Sequence, residues 1–133
     1  MSELEHINPD GMLKSPVFSQ GITYPAGSRV LVIGGQDGVD ESGKVVATDL
    51  AGQTERAVDN LIKVVETAGG TIENLVRVGL YIKGADTDIG PGFEVWIRKW
   101  GNRPNPPTVT GVRVAGLTAP DVLIEIEGTA VLS

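Results

Sequence analysis

The chain is organised around its last predicted strand, which lies in the segment Thr118-Ala-Pro-Asp-Val-Leu-Ile-Glu-Ile-Glu-Gly-Thr-Ala-Val131. Side chains alternate between the two faces of a strand. The apolar and small residues of one face are Ile124, Ile126, Gly128 and Ala130. Glu125 and Glu127 share the other face, where two carboxylates repel each other unless something separates or neutralises them. We therefore expect functional chemistry on this face, the alternative being a solvated or subunit-paired surface.

The preceding segment predicts a second strand, and it reads Arg103-Pro-Asn-Pro-Pro-Thr-Val-Thr-Gly-Val-Arg-Val-Ala-Gly-Leu117. Each proline fixes its own φ and disfavours a helical conformation in the residue before it, so the entry is extended. Val112 and Val114 then alternate with Gly111 and Arg113. This period of two indicates a strand with one apolar face.

The rest of the chain alternates between strand and helix patterns. Strands are predicted at residues 17–24, 29–33 and 76–83, with a short strand at most at residues 44–46. Apolar residues at spacings of three and four predict a helix over residues 49–68, which Thr48 or Asp49 can cap and Gly69 and Gly70 can end. A second helix, residues 91–100, carries an apolar stripe. The stripe consists of Phe93, Trp96, Ile97 and Trp100, which we interpret as packing residues.

This order, β-β-α-β-α-β-β, predicts an α+β fold in one domain that spans residues 1–133. Its single mixed β-sheet carries two helices packed on one face. The other sheet face is only partly polar, so we expect its apolar side chains to be buried by another element. Association with further copies of the chain would bury them without an additional domain.

Composition narrows the class of protein. The 133 residues are 41% hydrophobic and 21% charged, as in an ordinary soluble domain. The formal charge is −6 and the basic residues are scattered, which disfavours nucleic acid as a partner. The N-terminus lacks the pattern of a signal peptide, and no apolar run approaches the ~18 residues of a membrane helix. We expect a cytoplasmic protein without a membrane segment.

Several motifs allow more than one interpretation. The segment Gly34-Gly-Gln-Asp-Gly38 follows a strand but has neither phosphate-loop nor dinucleotide-loop spacing. It is either a strand end that needs glycine's conformational freedom, or a place where a ligand contacts backbone groups and Gln36. His6 is the only histidine and there is no cysteine, so neither a metal site nor a serine-nucleophile triad is expected.

Five segments in this order resemble the Rid family, the YjgF-like reactive-intermediate deaminases. They are residues 18–20, 30–36, 49–61, 75–83 and 122–131, which together span nearly the whole chain. The resemblance implies a chorismate-mutase-like fold assembled as a homotrimer, with a small-molecule cleft between subunits. It further implies hydrolysis of imines or enamines to a keto acid and ammonia, with no cofactor and no metal.

The resemblance also assigns roles to individual positions. Glu125 matches the family's site glutamate, and Gly35 and Gln36 match its Gly-Gln pair. Gly34 stands where a serine or similar residue is usual, and its neighbourhood would supply backbone groups to the ligand. Phe18 stands where the family has a tyrosine, so that hydroxyl is lost.

Val109 is the most consequential departure, because it occupies the position of the arginine that grips the substrate carboxylate. A guanidinium binds a carboxylate through two charge-assisted hydrogen bonds, whereas valine offers only apolar contact. By strand alternation Val109, Gly111 and Arg113 share a face, so Arg113 could supply a cation from another direction, as could Arg77. The alternative is that these arginines are exposed or subunit-paired.

Two functions remain open. The first is a metal-free hydrolase that acts on an imine, enamine or related C–N compound without a carboxylate on the reacting carbon. Glu125 would steer water, and backbone groups near Gly34 and Gly35 would stabilise developing charge. The second is a non-catalytic trimer that binds a small metabolite. Ribonuclease or translation-inhibitor activity is the least favoured hypothesis, because the chain is acidic.

Overall fold

The computed structural model describes residues 3–132; Met1, Ser2 and Ser133 lie outside the described residues. The strands are β1 (Glu5–Ile7), β2 (Gly21–Thr23), β3 (Arg29–Asp37), β4 (Leu75–Lys83), β5 (Thr108–Val114) and β6 (Ile124–Leu132). The helices are α1 (Leu50–Thr67) and α2 (Gly90–Trp100), and a 3-10 turn, Ile72–Asn74, precedes β4.

Four strands form the main sheet in the order β3-β6-β4-β5. β6 is antiparallel to both of its neighbours, and β5 is parallel to β4. Parallel neighbours need a long crossover, which α2 provides. Both helices pack on one face of this sheet, so the predicted α+β fold with a mixed sheet and two helices is confirmed.

The core lies between the helices and the sheet. Ala57, Leu61 and Val65 of α1 are fully buried at helical spacing. Trp96 and Trp100 of α2 are also buried, and their rings stack with centroids 5.9 Å apart. The expected packing role of the two tryptophans is therefore confirmed.

The opposite sheet face, called the open face below, is uncovered. Its residues include Val30, Val32, Arg77, Tyr81, Val112, Glu125 and Glu127. Val32 is 79% exposed, and Val30 and Val112 are more than 40% exposed. Apolar side chains left exposed together on a sheet typically mark a surface of association.

The strand predicted at residues 17–24 is shorter than expected. Only Gly21–Thr23 is a strand, and it pairs with β1, a strand that the sequence did not predict, in a separate two-stranded sheet. Ser19 Oγ donates to Pro106 O at 2.5 Å, and Trp96 Nε1 donates to Val17 O at 3.0 Å. These long-range bonds hold residues 17–19 outside any ladder, and local sequence patterns do not reveal them.

The short strand considered at residues 44–46 is reduced to a single bridge between Val39 and Val45. Asp40 Oδ1 accepts hydrogen bonds from Ser42 N at 2.9 Å and from Lys44 N at 3.0 Å. The side chain thus closes a tight turn that leaves no room for a ladder.

The apolar face of β5 does not lie in the core. Val112 pairs with Tyr81 and therefore lies on the open face, where it is 44% exposed. Val109 and Arg113 pair with Val78 and Ile82, so they face the helices instead. Because β5 is an edge strand, its register on β4 determines which face is buried, and its own hydrophobic pattern does not.

Candidate functional site

Glu125 lies at the middle of the open face, on the central strand β6. Asp37 is its partner across the β3 ladder, and Tyr81 is its partner across the β4 ladder. The Glu125 carboxyl lies against the backbone of Gly35, where an added Cβ atom would come within 2.6 Å of the carboxyl carbon. The absence of a Cβ atom at Gly35 therefore leaves room for the Glu125 carboxyl above β3.

The pKa of the Glu125 carboxyl is raised above its ordinary value. Burial is the largest cause, followed by the hydrogen bond and the negative charge of Asp37, and then by the charge of Glu127. Asp37 Oδ1 is itself buried, with no partner among the N–H and hydroxyl groups of residues 3–132. The two carboxyls therefore lie close together in a setting that favours the protonated form of Glu125. A carboxyl with a raised pKa can exchange a proton with water at higher pH than an ordinary glutamate.

Glu127 has a different environment from Glu125. Tyr81 donates its hydroxyl to Glu127 Oε2, and Arg77 Nη2 approaches the same oxygen at 3.5 Å. The Glu127 hydrogen bond is also the main reason that the pKa of Tyr81 is raised. Glu127 thus has a hydroxyl donor and a cation beside it, whereas the charged groups that shift the pKa of Glu125 are the acids Asp37 and Glu127. This difference separates the chemistry of the two glutamates.

A second candidate region is a cavity of about 320 Å³ between α2 and the strands β4 and β5. Its walls are largely apolar. Six of the lining residues are Leu80, Ile82, Ile89, Phe93, Val109 and Ile124. Gly111 and Arg113 also line it, and Arg113 Nη2 donates to Thr87 O at 3.1 Å.

The sheet separates these two regions within one chain. Val109, Gly111 and Arg113 face the helices, whereas Glu125 lies on the open face. Arg77 does share the open face with Glu125, but its guanidinium is engaged by Glu127. Within a single chain, no arginine of the predicted set is paired with the Glu125 carboxyl.

Phe18 and Gln36 lie apart from Glu125. Phe18 is partly buried against the core. Gln36 pairs with Ile126, so its side chain is on the helix face, where it lines a shallow depression with Asn60 of α1. Gly34 and Gly35 are exposed on β3, at the irregularity between Ile33 and Gln36 that breaks the ladder with β6. The structure therefore brings together Gly35 and Glu125 from the predicted set.

Sequence reasoning missed Gln53 as a residue that positions the site. Gln53 is 1% exposed; its Nε2 donates to Ala47 O and Asp121 O, both at 2.9 Å, and its Oε1 accepts from Leu123 N at 2.8 Å. These bonds fix the loop that enters β6 just before Glu125. A polar residue at a helical spacing from Leu50 and Ala57 was the available signal.

Asp37 was also missed. It belongs to the glycine-rich segment at residues 34–38, for which the sequence allows either a strand end that needs glycine or a ligand contact with backbone groups and Gln36. A carboxylate two residues after Gly35 was visible in the sequence. That it lies opposite Glu125 depends on the β3–β6 register.

Residues 3–132 contain neither a metal-binding cluster nor a membrane-spanning helix. No group of three or more His, Asp or Glu side chains there could hold a metal ion. Neither α1 nor α2 is long and apolar enough to cross a membrane.

Comparison with known proteins identifies the family. The profile of the family described as "Endoribonuclease L-PSP" matches residues 13–132. A RutC family protein from Pyrococcus abyssi is 31% identical over 128 residues, which cover 90% of this chain and 98% of the relative. A RutC family protein from Pyrococcus horikoshii is 29% identical over 127 residues and covers 89% of this chain and 98% of the relative.

Solved structures agree with the sequence matches. YyfB from Yersinia pestis, a Rid family protein of unknown function, superposes with a TM-score of 0.86 at 30% identity over 98% of this chain and 99% of that one. The YjgF protein from E. coli superposes with a TM-score of 0.71 at 27% identity, over 94% and 91% of the two chains. These likenesses define an α+β protein with the YjgF fold. The chain belongs to the Rid (YjgF-like, endoribonuclease L-PSP) family, as its sequence segments predicted.

Proposed function

We propose that the protein is a metal-free and cofactor-free hydrolase that acts on an imine, an enamine or a related small C–N compound. The observation that carries this proposal is the Glu125 carboxyl, whose pKa is raised and which lies beside the carboxyl of Asp37. A carboxyl that titrates nearer to neutral pH can both accept a proton from water and return one.

The reaction would be a hydrolysis, so it would need neither an oxidant nor a reductant. Ionised Glu125 takes one proton from water as the oxygen adds to the carbon of a protonated C=N group, and the C=N electron pair becomes the lone pair of the carbinolamine nitrogen. Glu125 then returns that proton to the nitrogen, and ammonia leaves as the C–N bond breaks. The hydroxyl proton passes to the departing ammonia, which leaves the carbonyl compound, an ammonium ion and ionised Glu125. Exposed backbone around Gly35 is close enough to the carboxyl to stabilise developing charge.

The substrate would lack a carboxylate on the reacting carbon. The structure of TdcF from E. coli, 26% identical with a TM-score of 0.71, was determined with bound serine. In the present chain, Val109 lies in an apolar wall and offers no hydrogen bond to such a carboxylate. A buried carboxylate without a partner costs several kcal/mol, so α-imino acids are disfavoured.

A homotrimer would complete the site. Glu125 and the face of Val109 and Arg113 lie on opposite sides of one sheet, so they can line a common cleft only when they come from different copies. The exposed valines of the open face give this association an apolar surface. Burial of the open face between copies would also raise the pKa of Glu125 further.

Release of ammonia from freshly generated imines, with and without an α-carboxylate, tests the enzymatic proposal. Glu125→Gln should remove the activity, whereas Glu66→Gln, an exposed change on α1, should not. Val109→Arg should improve activity on α-imino acids. Activity of Glu125→Gln equal to that of wild type would overturn the assignment of Glu125.

A second candidate function is a non-catalytic trimer that binds a small metabolite. It is favoured by the cavity beneath α2, whose lining contains no carboxyl or histidine that could transfer a proton. A compound that raises the melting temperature but is recovered unchanged would support this function. Ribonuclease activity, which the family description mentions, is disfavoured because a chain with a net charge of −6 repels a phosphate backbone.

A further inference from the structure

The cavity beneath α2 combines apolar walls with one cation. We propose that it binds a compact aromatic or branched aliphatic group of the ligand, and that Arg113 binds an anionic group at the other end of the same ligand. This inference rests on the proposed function, because it names the class of compound that the site would take. It differs from an α-imino acid in that its anionic group is not attached to the reacting C=N carbon.

The size and lining of the cavity support an apolar occupant. Leu80, Ile82, Phe93 and Val109 contribute hydrocarbon surface, and the volume is about 320 Å³. A cavity of about 150 Å³ lined by such side chains binds benzene. The present cavity is therefore large enough for a phenyl ring with a short chain, and burial of that surface favours binding.

Gly111 keeps this space open. A Cβ atom at Gly111 would have Leu80 Cβ as its nearest neighbour, at 4.0 Å, so the backbone there tolerates a side chain. Gly92 differs, because a Cβ atom there would come within 3.1 Å of Thr54 Oγ1. Gly111 is thus the position at which a larger residue would fill the cavity without disturbing its walls.

Arg113 provides the charge. One guanidinium nitrogen, Nη2, donates to the carbonyl oxygen of Thr87, which anchors the side chain to the loop before α2. Within residues 3–132 Arg113 forms no ion pair with a carboxylate. Its remaining N–H groups can therefore bind an anion through charge-assisted hydrogen bonds. Val109, deeper in the apolar wall, would contact the uncharged part of the ligand.

Calorimetric titration of 3-phenylpropanoate and its neutral amide tests the inference. Wild type should bind the acid about tenfold more tightly than the amide, since a charge-assisted hydrogen bond is stronger than a neutral one. Arg113→Gln should remove that difference while leaving binding of the amide. Gly111→Val should weaken both probes at least tenfold. Gly116→Val, a matched change in a loop with no atom within 4 Å of the new Cβ, should change neither.

Direct contacts provide a second measurement, independent of the folding of Gly111→Val. Nuclear Overhauser effects should connect the probe's ring with the methyl groups of Leu80 and Ile82. Failure of wild type to bind the acid, contacts elsewhere, or equal affinities of wild type and Gly111→Val would overturn the inference. If the acid does not bind but imine hydrolysis still requires Glu125, the inference fails and the proposed function stands. If the acid binds as expected without any hydrolysis, the inference stands and the enzymatic function fails.

Discussion

The Glu125 carboxyl lies against the Cα atom of Gly35, so closely that a Cβ atom there would come within 2.6 Å of the carboxyl carbon. Gly34, the preceding residue, has no atom within 4 Å of the corresponding position. Neither glycine has a positive φ. The requirement for glycine at position 35 is therefore steric, and the two neighbours provide a matched pair of test positions.

Gly35→Ala should displace the Glu125 carboxyl and lower kcat for imine hydrolysis at least tenfold, because misplacement of a catalytic group by about 1 Å has effects of this size or larger. Gly34→Ala should retain activity within about twofold, since its new methyl group meets open space. Steady-state kinetics on both purified variants, with circular dichroism to verify folding, make the comparison. Equal losses in the two variants would contradict a specific contact with Glu125.

Glu125→Gln should stabilise the fold near neutral pH. The raised pKa of Glu125 means that the folded state holds its proton more tightly than the unfolded chain. Its contribution to stability is therefore greatest below the unfolded pKa and is lost as pH rises through the folded pKa. The variant should melt a few degrees higher than wild type at pH 8 and at the same temperature near pH 4. A lower melting temperature for the variant at pH 8 would show that the ionised carboxyl is stabilising.

Gln53→Leu should destabilise the fold by about 2–4 kcal/mol, because Ala47 O, Asp121 O and Leu123 N would lose their buried partner. Since these bonds fix the entry to β6, kcat should also fall. Val65→Ala, a cavity-creating change on the same helix, should cost about 1–2 kcal/mol and leave kcat unchanged. Urea unfolding and steady-state kinetics measure both effects; a Gln53→Leu variant with wild-type kcat would exclude the positioning role.

Glu55→Gln should lower stability at pH 7 but not near pH 2. Arg98, which pairs with Glu55 at 2.7 Å, and then Lys99 lower the pKa of Glu55 from 4.5 to about 2. A lowered pKa contributes stability that is present above pH 4.5 and is lost as pH falls through about 2. Because the Glu55 side chain is 38% exposed, screening limits the loss to about 1 kcal/mol or less.

Chemical unfolding at several pH values measures the effect of Glu55→Gln. Glu66→Gln, which removes a charge from the same helix without breaking an ion pair, is the control. A difference between Glu55→Gln and wild type that stays constant down to pH 2 would show that lost packing, and not lost charge pairing, causes the effect.

Val32→Asp should disrupt association through the open face. Light scattering should give wild type a molar mass of three times the chain mass of 14.0 kDa. A carboxylate at a position that is 79% exposed in the single chain would be buried in the trimer, and the cost of its desolvation should give monomers. Ile97→Asp, on the helix layer, should remain trimeric. A wild-type monomer would remove the basis for a cleft shared between subunits.

Local patterns in the sequence were sufficient for most of the main sheet and both helices. Helix α1 was predicted to within a residue at each end, because its apolar spacing, the Asp49 cap and Gly69, whose φ is 98°, all act locally. Strand β1 was not predicted, because Glu5–Ile7 is too short for a local pattern and forms a strand only by pairing with Gly21–Thr23. The family, too, could be predicted from the sequence alone, because five short segments keep their order.

The sequence by itself determined the alternation of Glu125 with the buried face of β6 and the apolar character of Val109, since both follow from residue type and the period of a strand. Only the tertiary structure decided which residues meet them. The β3–β6 register places Asp37 and Gly35 beside Glu125, and the parallel register of β5 on β4 turns Val109 and Arg113 toward α2. Register depends on pairing between segments far apart in the chain, and a shift of one residue would reverse every face.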